Sequence, residues 1–465
     1  MTNLRPPLLA LRHTSLVLAL ILCGCRSTVD RARRAQTSDD RLAGETVVTA
    51  AQTGITNDRA FALGELERIA HEHHPAILKA RQAVESARLQ CRMTRSGRYP
   101  QISGGETYNR STHNSWGRST SSEANGTWSK SISLDLLLYD FGRTDAEERQ
   151  AFEALVAAEE QLRETELETA YGVRVAFFER HRSRHLLGVA IESEKQYAQH
   201  LEEARTMVEF GMRRQYDVTK AEVDWGNARL DIVTASNALT VAHARLNRAL
   251  GLAENPAYRI DTAALPAPPQ APDALLADAR TNAPALAILH ARERSASAYV
   301  DQTIAELYPE LSLRADASVS GRDFPLIWNF SSAFRFLGNI FDGHRKTARI
   351  DEAVTRLRTA RANVADAEQT LYLELVSAAA ERESSRERAD IARLIQRQAE
   401  DNLAIVNEQY ILGLSSSIER TDAQVALTQT QANVIRAEYD EQTAIARLIR
   451  LIGEPVDTTP ETPSP

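Results

Sequence analysis

The sequence predicts a mainly α-helical chain with a small portion shaped for a membrane β-barrel, arranged as two tandem repeats. Three observations predict it. The second half of the chain repeats the first at a nearly constant offset. Long stretches read as unbroken helix, and Thr347–Leu412 contains neither Gly nor Pro. Three segments of roughly ten residues alternate apolar and polar side chains, with Lys130 on the apolar side of one, and a fourth, Gln101–Arg110, alternates only weakly; this is the length that crosses an outer membrane when tilted.

The amino terminus comes first. Arg5 and Arg12 precede a short apolar run, Leu16 to Cys23, which is too short to span a bilayer and reads as a signal-peptide core. The run ends in Leu22-Cys23-Gly24-Cys25, similar to the bacterial lipobox, in which the last cysteine is lipidated. A plain secretory signal with incidental cysteines is the other reading. Residues 1–24 are therefore expected to be removed, leaving Cys25 as the lipid anchor. Arg26 at the next position matches the enterobacterial pattern for transfer to the outer membrane. Without Arg5 and Arg12 the formal charge moves from −8 to −8 − 2 = −10, which argues against nucleic acid as a partner. Residues 25–56 read as a polar, irregular tether. No other run is apolar enough for a transmembrane helix.

Repeat 1 is expected over 57–264 and repeat 2 over 273–455. Leu265–Pro272 forms a Pro-rich linker, and 456–465 reads as a disordered tail. Pro75-Ala76 matches Pro284-Ala285 and Tyr99-Pro100 matches Tyr308-Pro309, both at an offset of 209. From the next motif onward the offset is 202: Gly211 with Gly413, Asp217 with Glu419, Gly251 with Gly453. Each repeat follows one plan: helix, β-hairpin, long helix, tip turn, helix. The first helices are expected over about Leu63–Gly97 and Asp273–Leu307, ended by the Tyr-Pro pairs. The long helices are expected over about Arg143–Glu209 and Lys346–Leu412. At 1.5 Å per residue a long helix spans roughly 100 Å and a short one roughly 55 Å. Two short helices end to end therefore match one long helix, and each repeat is a rod.

Strands are expected at about 101–110 and 126–139, and at about 311–320 and 327–340. In the third, Leu311, Leu313, Ala315, Ala317 and Val319 alternate with Ser312, Arg314, Asp316 and Ser318. One apolar and one polar face suits either a lipid-facing barrel with a wet lumen or a sheet packed on a soluble core. Four strands cannot close a barrel, so closure needs further copies.

The second tip runs from Tyr410 to Asp422. Gly413 supplies the positive φ that ends a helix, and the serines after it can cap the next one. Glu419 and Asp422, three apart, share a face. Ser416 with Glu419 also fits a capping box. Tyr410 is read either as a pore residue or as packing between helices.

Enzyme chemistry finds no support. His71-Glu72-His73-His74 fails the zinc pattern because Pro75 stands where a second histidine is needed. His181 and His185 share a helical face, but Arg180, Arg182 and Arg184 would repel a metal. No phosphate-binding loop or nucleophile elbow is present. Neither a cofactor nor a metal is expected, and Cys91 reads as a small packed residue.

The duplicated aromatic-Asp-x-x-Arg motif carries a resemblance. It stands as Tyr139-Asp140-Phe141-Gly142-Arg143 and as Phe341-Asp342-Gly343-His344-Arg345. With the Tyr-x-x-Gly and acids of the second tip, the chain resembles the TolC-like outer-membrane efflux family, especially its lipid-anchored branch, over about Phe61–Pro455. The resemblance implies a homotrimer with a twelve-stranded barrel standing on a long helical tunnel across the periplasm. It implies a periplasmic adaptor and an inner-membrane pump as partners, with either small-molecule efflux or type I protein secretion as the task. It also implies a periplasmic gate at Tyr410, Glu419 and Asp422. The family often has an arginine two residues beyond the tip glycine; this chain has Ser415, and Arg213 or Arg214 on the other tip are the substitutes. Asp140, Gly142, Arg143, Asp342, Gly343 and Arg345 are expected to shape the strand-to-helix junctions, and Gly211 and Gly413 the tip turns. A lipid-tethered periplasmic coiled-coil scaffold is the reading from another class.

Overall fold

The structure, a computed structural model, describes residues 60–111, 125–261, 272–322 and 325–453, plus a few residues before 60. The expected leader, Cys25, most of the tether, the linker before Pro272, the loop 112–124 and the tail lie outside the described residues. Within the expected tether, residues 28–30 and 32–33 are helical rather than irregular. Asp30 lies three positions before Arg33, a spacing that suits a helical turn.

In chain order the elements are β1 (Ala60–Phe61), α1 (Leu63–His73), α2 (Pro75–Arg95), β2 (Gln101–Ser111) and β3 (Asn125–Tyr139). Then come α3 (Arg143–Glu209), α4 (Gln215–Ala249) and β4 (Arg259–Ile260). The second repeat holds α5 (Pro272–Asn282), α6 (Pro284–Ala305), β5 (Glu310–Gly321), β6 (Ile327–Leu337), α7 (Arg345–Ile411) and α8 (Ser417–Ile452). The two long helices, tip turns and return helices fall within a residue or two of expectation. Pro272, expected in the linker, opens α5.

The first helix of each repeat is broken where one continuous helix was expected. Pro75 and Pro284 have no N–H to donate and force the residue before them out of the helical region. His74 and Ala283 accordingly sit at ψ 128° and 116°. The same prolines then begin α2 and α6 at the N1 position, which suits them. His74 also accepts a hydrogen bond through Nδ1 from the Ala76 N–H at 3.2 Å.

These breaks receive the ends of the return helices. Gly251 ends α4 at φ +80°, and an added Cβ there would meet His74 and Pro75 at 3.0 Å. Gly453 ends α8 at φ +74°, and its Cβ would meet the Asn282 carbonyl. The two repeats thus close in the same way. Their cores correspond as well: Val173, Ala176, Leu246 and Leu250 in the first are matched, 202 residues on, by Leu375, Ala378, Leu448 and Ile452 in the second. The first core is more aromatic, with Phe61, Phe177, Phe178 and Tyr258, and the parallel pair β1–β4 lies beside it. Short helices lie along long ones throughout: α2 and α4 on α3, α6 and α8 on α7, with α6 and α8 also touching α3.

At the other end the two hairpins join into one antiparallel sheet in the order β2-β3-β5-β6. Its register keeps the faces separate, except that Glu106 and Lys130, 3.2 Å apart, fall on the apolar one. Ile132 pairs with Ala317, which pairs with Phe330; Ser133 pairs with Asp316, which pairs with Ser331. β6 ends at Leu337, three residues short of expectation. Its partner runs out there, since Glu310 follows Pro309, and Gly338 crosses so close to Pro309 that a Cβ would lie 2.9 Å from it.

Candidate functional site

The junctions between sheet and long helix are turns of two successive left-handed residues. Phe141 and Gly142 have φ 56° and 87°; Gly343 and His344 have 69° and 64°. The glycine changes place between the repeats while the turn stays. Asp140 accepts from the Gly142 and Thr144 N–H groups and from the Thr144 hydroxyl, while Asp342 accepts from the Lys346 N–H at 3.2 Å. Both carboxylates therefore cap the long helices. Burial pushes the Asp140 carboxyl up, but the Thr144 and Gly142 donors and the Arg143 charge more than offset this and hold it below the usual carboxylate range. Arg143 reaches Glu310 at 3.2 Å, while Arg345 lies 3.9 Å from Asp342.

The tips repeat each other in backbone and differ in side chains. Gly211 and Gly413 have φ 72° and 77°, and the N–H of the following residue bonds back to Met207 and Gln409. Each helix thus ends in a glycine-terminated Schellman turn. In repeat 1 the interior of the tip is apolar: Leu201, Ala204 and Val218, with Val208 against them. In repeat 2 the positions equivalent to Val208 and Val218 are Tyr410 and Arg420, both buried.

Tyr410 lies between two guanidinium groups, Arg213 at 4.4 Å and Arg420 at 4.8 Å from its ring centroid. Arg213 donates to the carbonyls of Tyr410 at 3.2 Å and Ser415 at 3.1 Å. Those carbonyls lie at or just beyond the C-terminal end of α7, where the helix dipole favours a cation. Arg420 is held by Glu203 and Asn407, each at 2.7 Å. Burial, first of all, pushes the Tyr410 hydroxyl above its ordinary value. His200 is pushed down to about 4, by burial and then by Arg420, against the pull of Glu203 and Asp224.

Glu419 closes a capping box: its carboxylate accepts from the Ser416 N–H at 2.9 Å and the Ser415 hydroxyl at 2.6 Å, and its own N–H donates to Ser416. These bonds hold its carboxyl below the usual range. Asp217, its counterpart in repeat 1, accepts from the Ser417 hydroxyl at 2.6 Å and so bridges the two tips. Arg214 is exposed, and its backbone N–H faces Asp217. Asp422 is exposed and has no hydrogen-bond or ion-pair partner among the described residues.

Of the expected gate residues, the structure therefore brings Tyr410 and Arg213 together. Arg214 and Asp422 stand apart from them, and Glu419 is engaged with its own helix. Arg420 escaped the sequence reading. Aligning the repeats at 202 would have exposed it, as a buried Val in one copy and Arg in the other.

The histidines have structural partners. His71 lies 3.2 Å from Glu166. His181 is buried, with Nε2 3.0 Å from the Asp261 carbonyl. Among the described residues no group of three metal-ligating side chains comes together.

Comparison with known proteins turns this architecture into an assignment. The family model described as "Outer membrane efflux protein" matches residues 67–252 and 275–454. The chain belongs to the outer membrane efflux protein family. Its two matched segments are the two repeats seen here. The cation efflux system protein CusC of Escherichia coli O157:H7 is 23% identical over 389 residues, covering 82% of this chain and 84% of CusC. The outer membrane efflux protein BepC of Brucella suis is 23% identical over 390 residues, 83% of each chain. In fold the chain is similar to a membrane protein from Pseudomonas aeruginosa, with TM-score 0.76 and 20% identity over 84% of this chain and 93% of that one. It is similar to VceC of Vibrio cholerae with TM-score 0.73 and 16% identity, over 84% and 96%. Efflux across the outer membrane is the role the family gives this chain.

Proposed function

We propose that three copies of this chain form the outer-membrane channel of a tripartite export system. The channel passively conducts cargo handed over by a periplasmic adaptor and an inner-membrane pump. The sheet is the observation that carries this reading. Its two edges, β2 and β6, have unpaired backbone groups, and its apolar face exposes Trp328, Phe330 and Phe334 by 76%, 64% and 74%. An edge left open in hydrocarbon costs several kcal/mol per unsatisfied group. Pairing β6 of one copy with β2 of the next closes a barrel of twelve strands and turns the aromatic face to lipid. A lipid-tethered scaffold has no use for that face.

The rods hang beneath the barrel, and their tips form the periplasmic mouth. There the Arg213–Tyr410 contact ties one repeat to the other and holds the mouth closed, in place of the arginine absent at Ser415. Asp422, exposed and unpaired, supplies a ring of three carboxylates that favours cations. Lipid on Cys25 anchors the same assembly.

Full-length protein extracted from outer membranes is the test material. A heat-modifiable trimer that conducts in planar bilayers supports the channel. A soluble monomer without conductance, obtained when Cys25 is changed to Ser, would instead establish the scaffold. A neighbouring gene for an ATP-driven exporter would shift the cargo from small molecules to protein.

A further inference from the structure

The polar face of the sheet is almost a serine wall. Ser103 pairs with Ser133, Ser131 with Ser318, and Ser129 with Ser320. One ionic network interrupts it. Arg314 grips Asp316 with two hydrogen bonds, Nε at 2.9 Å and Nη2 at 3.2 Å, and its Nη1 lies 3.7 Å from Asp135 on the neighbouring strand. Ser133 donates to the same Asp316 carboxylate at 2.6 Å. Arg335, on the same face, is the remaining cation. Glu310 lies at the base, paired with Arg143. Above that base, among the described residues, the polar face carries two carboxylates and two guanidinium groups per copy.

We propose that Arg314 sets the electrostatic character of the barrel lumen: by clamping Asp316 and facing Asp135, it keeps this part of the pore from acting as a cation filter. The assignment rests on the barrel reading above. Three copies place six carboxylates and six guanidinium groups around the lumen, so the wall is neutral and tolerates cargo of either sign. Without Arg314 the six carboxylates face three cations, in a wall otherwise lined largely by serine, threonine and asparagine. Rings of charged side chains set ion preference in pores. Selection among cargoes then falls to the tip, roughly 100 Å away along the helices.

The potential inside the barrel can be read without opening the tip. A reporter cysteine, Ser318→Cys, is placed on the polar face of the full-length chain in a Cys91→Ser background. In outer-membrane vesicles it is reacted with a trimethylammonium-bearing and a sulfonate-bearing methanethiosulfonate, and the ratio of the two rates is compared. Arg314→Gln should raise the cationic-over-anionic ratio by about threefold or more. Asp135→Asn with Asp316→Asn should lower it, and Arg314→Lys should leave it near the starting value. An unchanged ratio in both the Arg314→Gln and the double Asp variants overturns the assignment. If Arg314→Gln fails to assemble, the lysine and double variants still decide it. Equal reactivity of Ala317→Cys on the apolar face overturns the barrel itself, a different result from an unchanged ratio.

Discussion

The Arg213 guanidinium lies 4.4 Å over the Tyr410 ring and hydrogen-bonds the Tyr410 and Ser415 carbonyls with the same side chain. One residue of the first repeat thereby seals the helix end of the second. A half-buried cation–π contact with charged hydrogen bonds is worth about 2 kcal/mol or more. Arg213→Ala should release the tips and raise single-channel conductance several-fold in planar bilayers. Arg214→Ala, at an exposed neighbour, should leave conductance unchanged. Equal effects from the two would show that net charge at the tip matters rather than this contact.

Glu419 and Asp422 share a helix turn, but only Glu419 is engaged by it. Glu419→Gln weakens the capping box, so it should lower the temperature at which the tip unfolds, as read by hydrogen exchange over residues 413–424. Its carboxyl is held below the ordinary range, so its contribution is present above the unfolded-state pKa and is lost as pH falls through the depressed value. Asp422→Asn removes no intramolecular contact and should instead reduce the preference for cations over anions. If Asp422→Asn changes stability and not selectivity, the carboxylate does not face the pore.

The core of the first repeat should be sensitive to acid. Burial, foremost, pushes His181 from 6.5 down to about 4; Arg180, His185 and Arg184 act in the same direction and the Asp261 carbonyl against it. The folded chain then binds fewer protons than the unfolded one between these values. Stability is full above about 6.5 and falls as pH drops toward 4. His181→Gln keeps a donor for the Asp261 carbonyl and should flatten this part of the curve, measured as thermal midpoint against pH. A curve of unchanged steepness would move the titration to other groups, His200 first.

Arg174 and Glu67 form an ion pair inside the same core, 2.6 Å apart, with side chains 12% and 7% exposed. Removing one partner leaves the other charge stranded, at a cost of about 3–5 kcal/mol. Glu67→Gln should therefore destabilise strongly, while Glu67→Leu with Arg174→Met should recover most of the loss. A double-mutant cycle on the thermal midpoint separates the pair from its surroundings.

Much of this fold was legible because the repeat wrote each feature twice. The long helices, the tip glycines and the strand alternation all recur at 202 or 209. The helix breaks were visible as matched Pro75 and Pro284, but a sequence pattern does not show that another helix must end in the notch. That depends on Gly251 and Gly453, far along the chain. The second tip was only half legible. Gly413 and the acids announce a capped turn, and spacing alone cannot tell a capping carboxylate from a pore carboxylate. Arg420 was hidden because a charged residue beside a tip is ordinarily solvated, and only the Tyr410 ring with Glu203 and Asn407 makes its burial affordable. The Asp135–Arg314–Asp316 network needed strand register, which alternation does not supply.

The two C-terminal glycines of the second repeat separate backbone conformation from crowding. Gly413 and Gly453 share a positive φ, 77° and 74°, yet a Cβ at Gly413 meets nothing within 4 Å while one at Gly453 collides with the Asn282 carbonyl. Gly413→Ala should then cost only the left-handed conformation, about 1 kcal/mol. Gly453→Ala must also push the end of α8 out of the α5–α6 break, and its cost should be at least twice as large. The order is checked by the thermal midpoint of unfolding. Equal shifts would mean that the fit of α8 into the break contributes nothing beyond the turn itself.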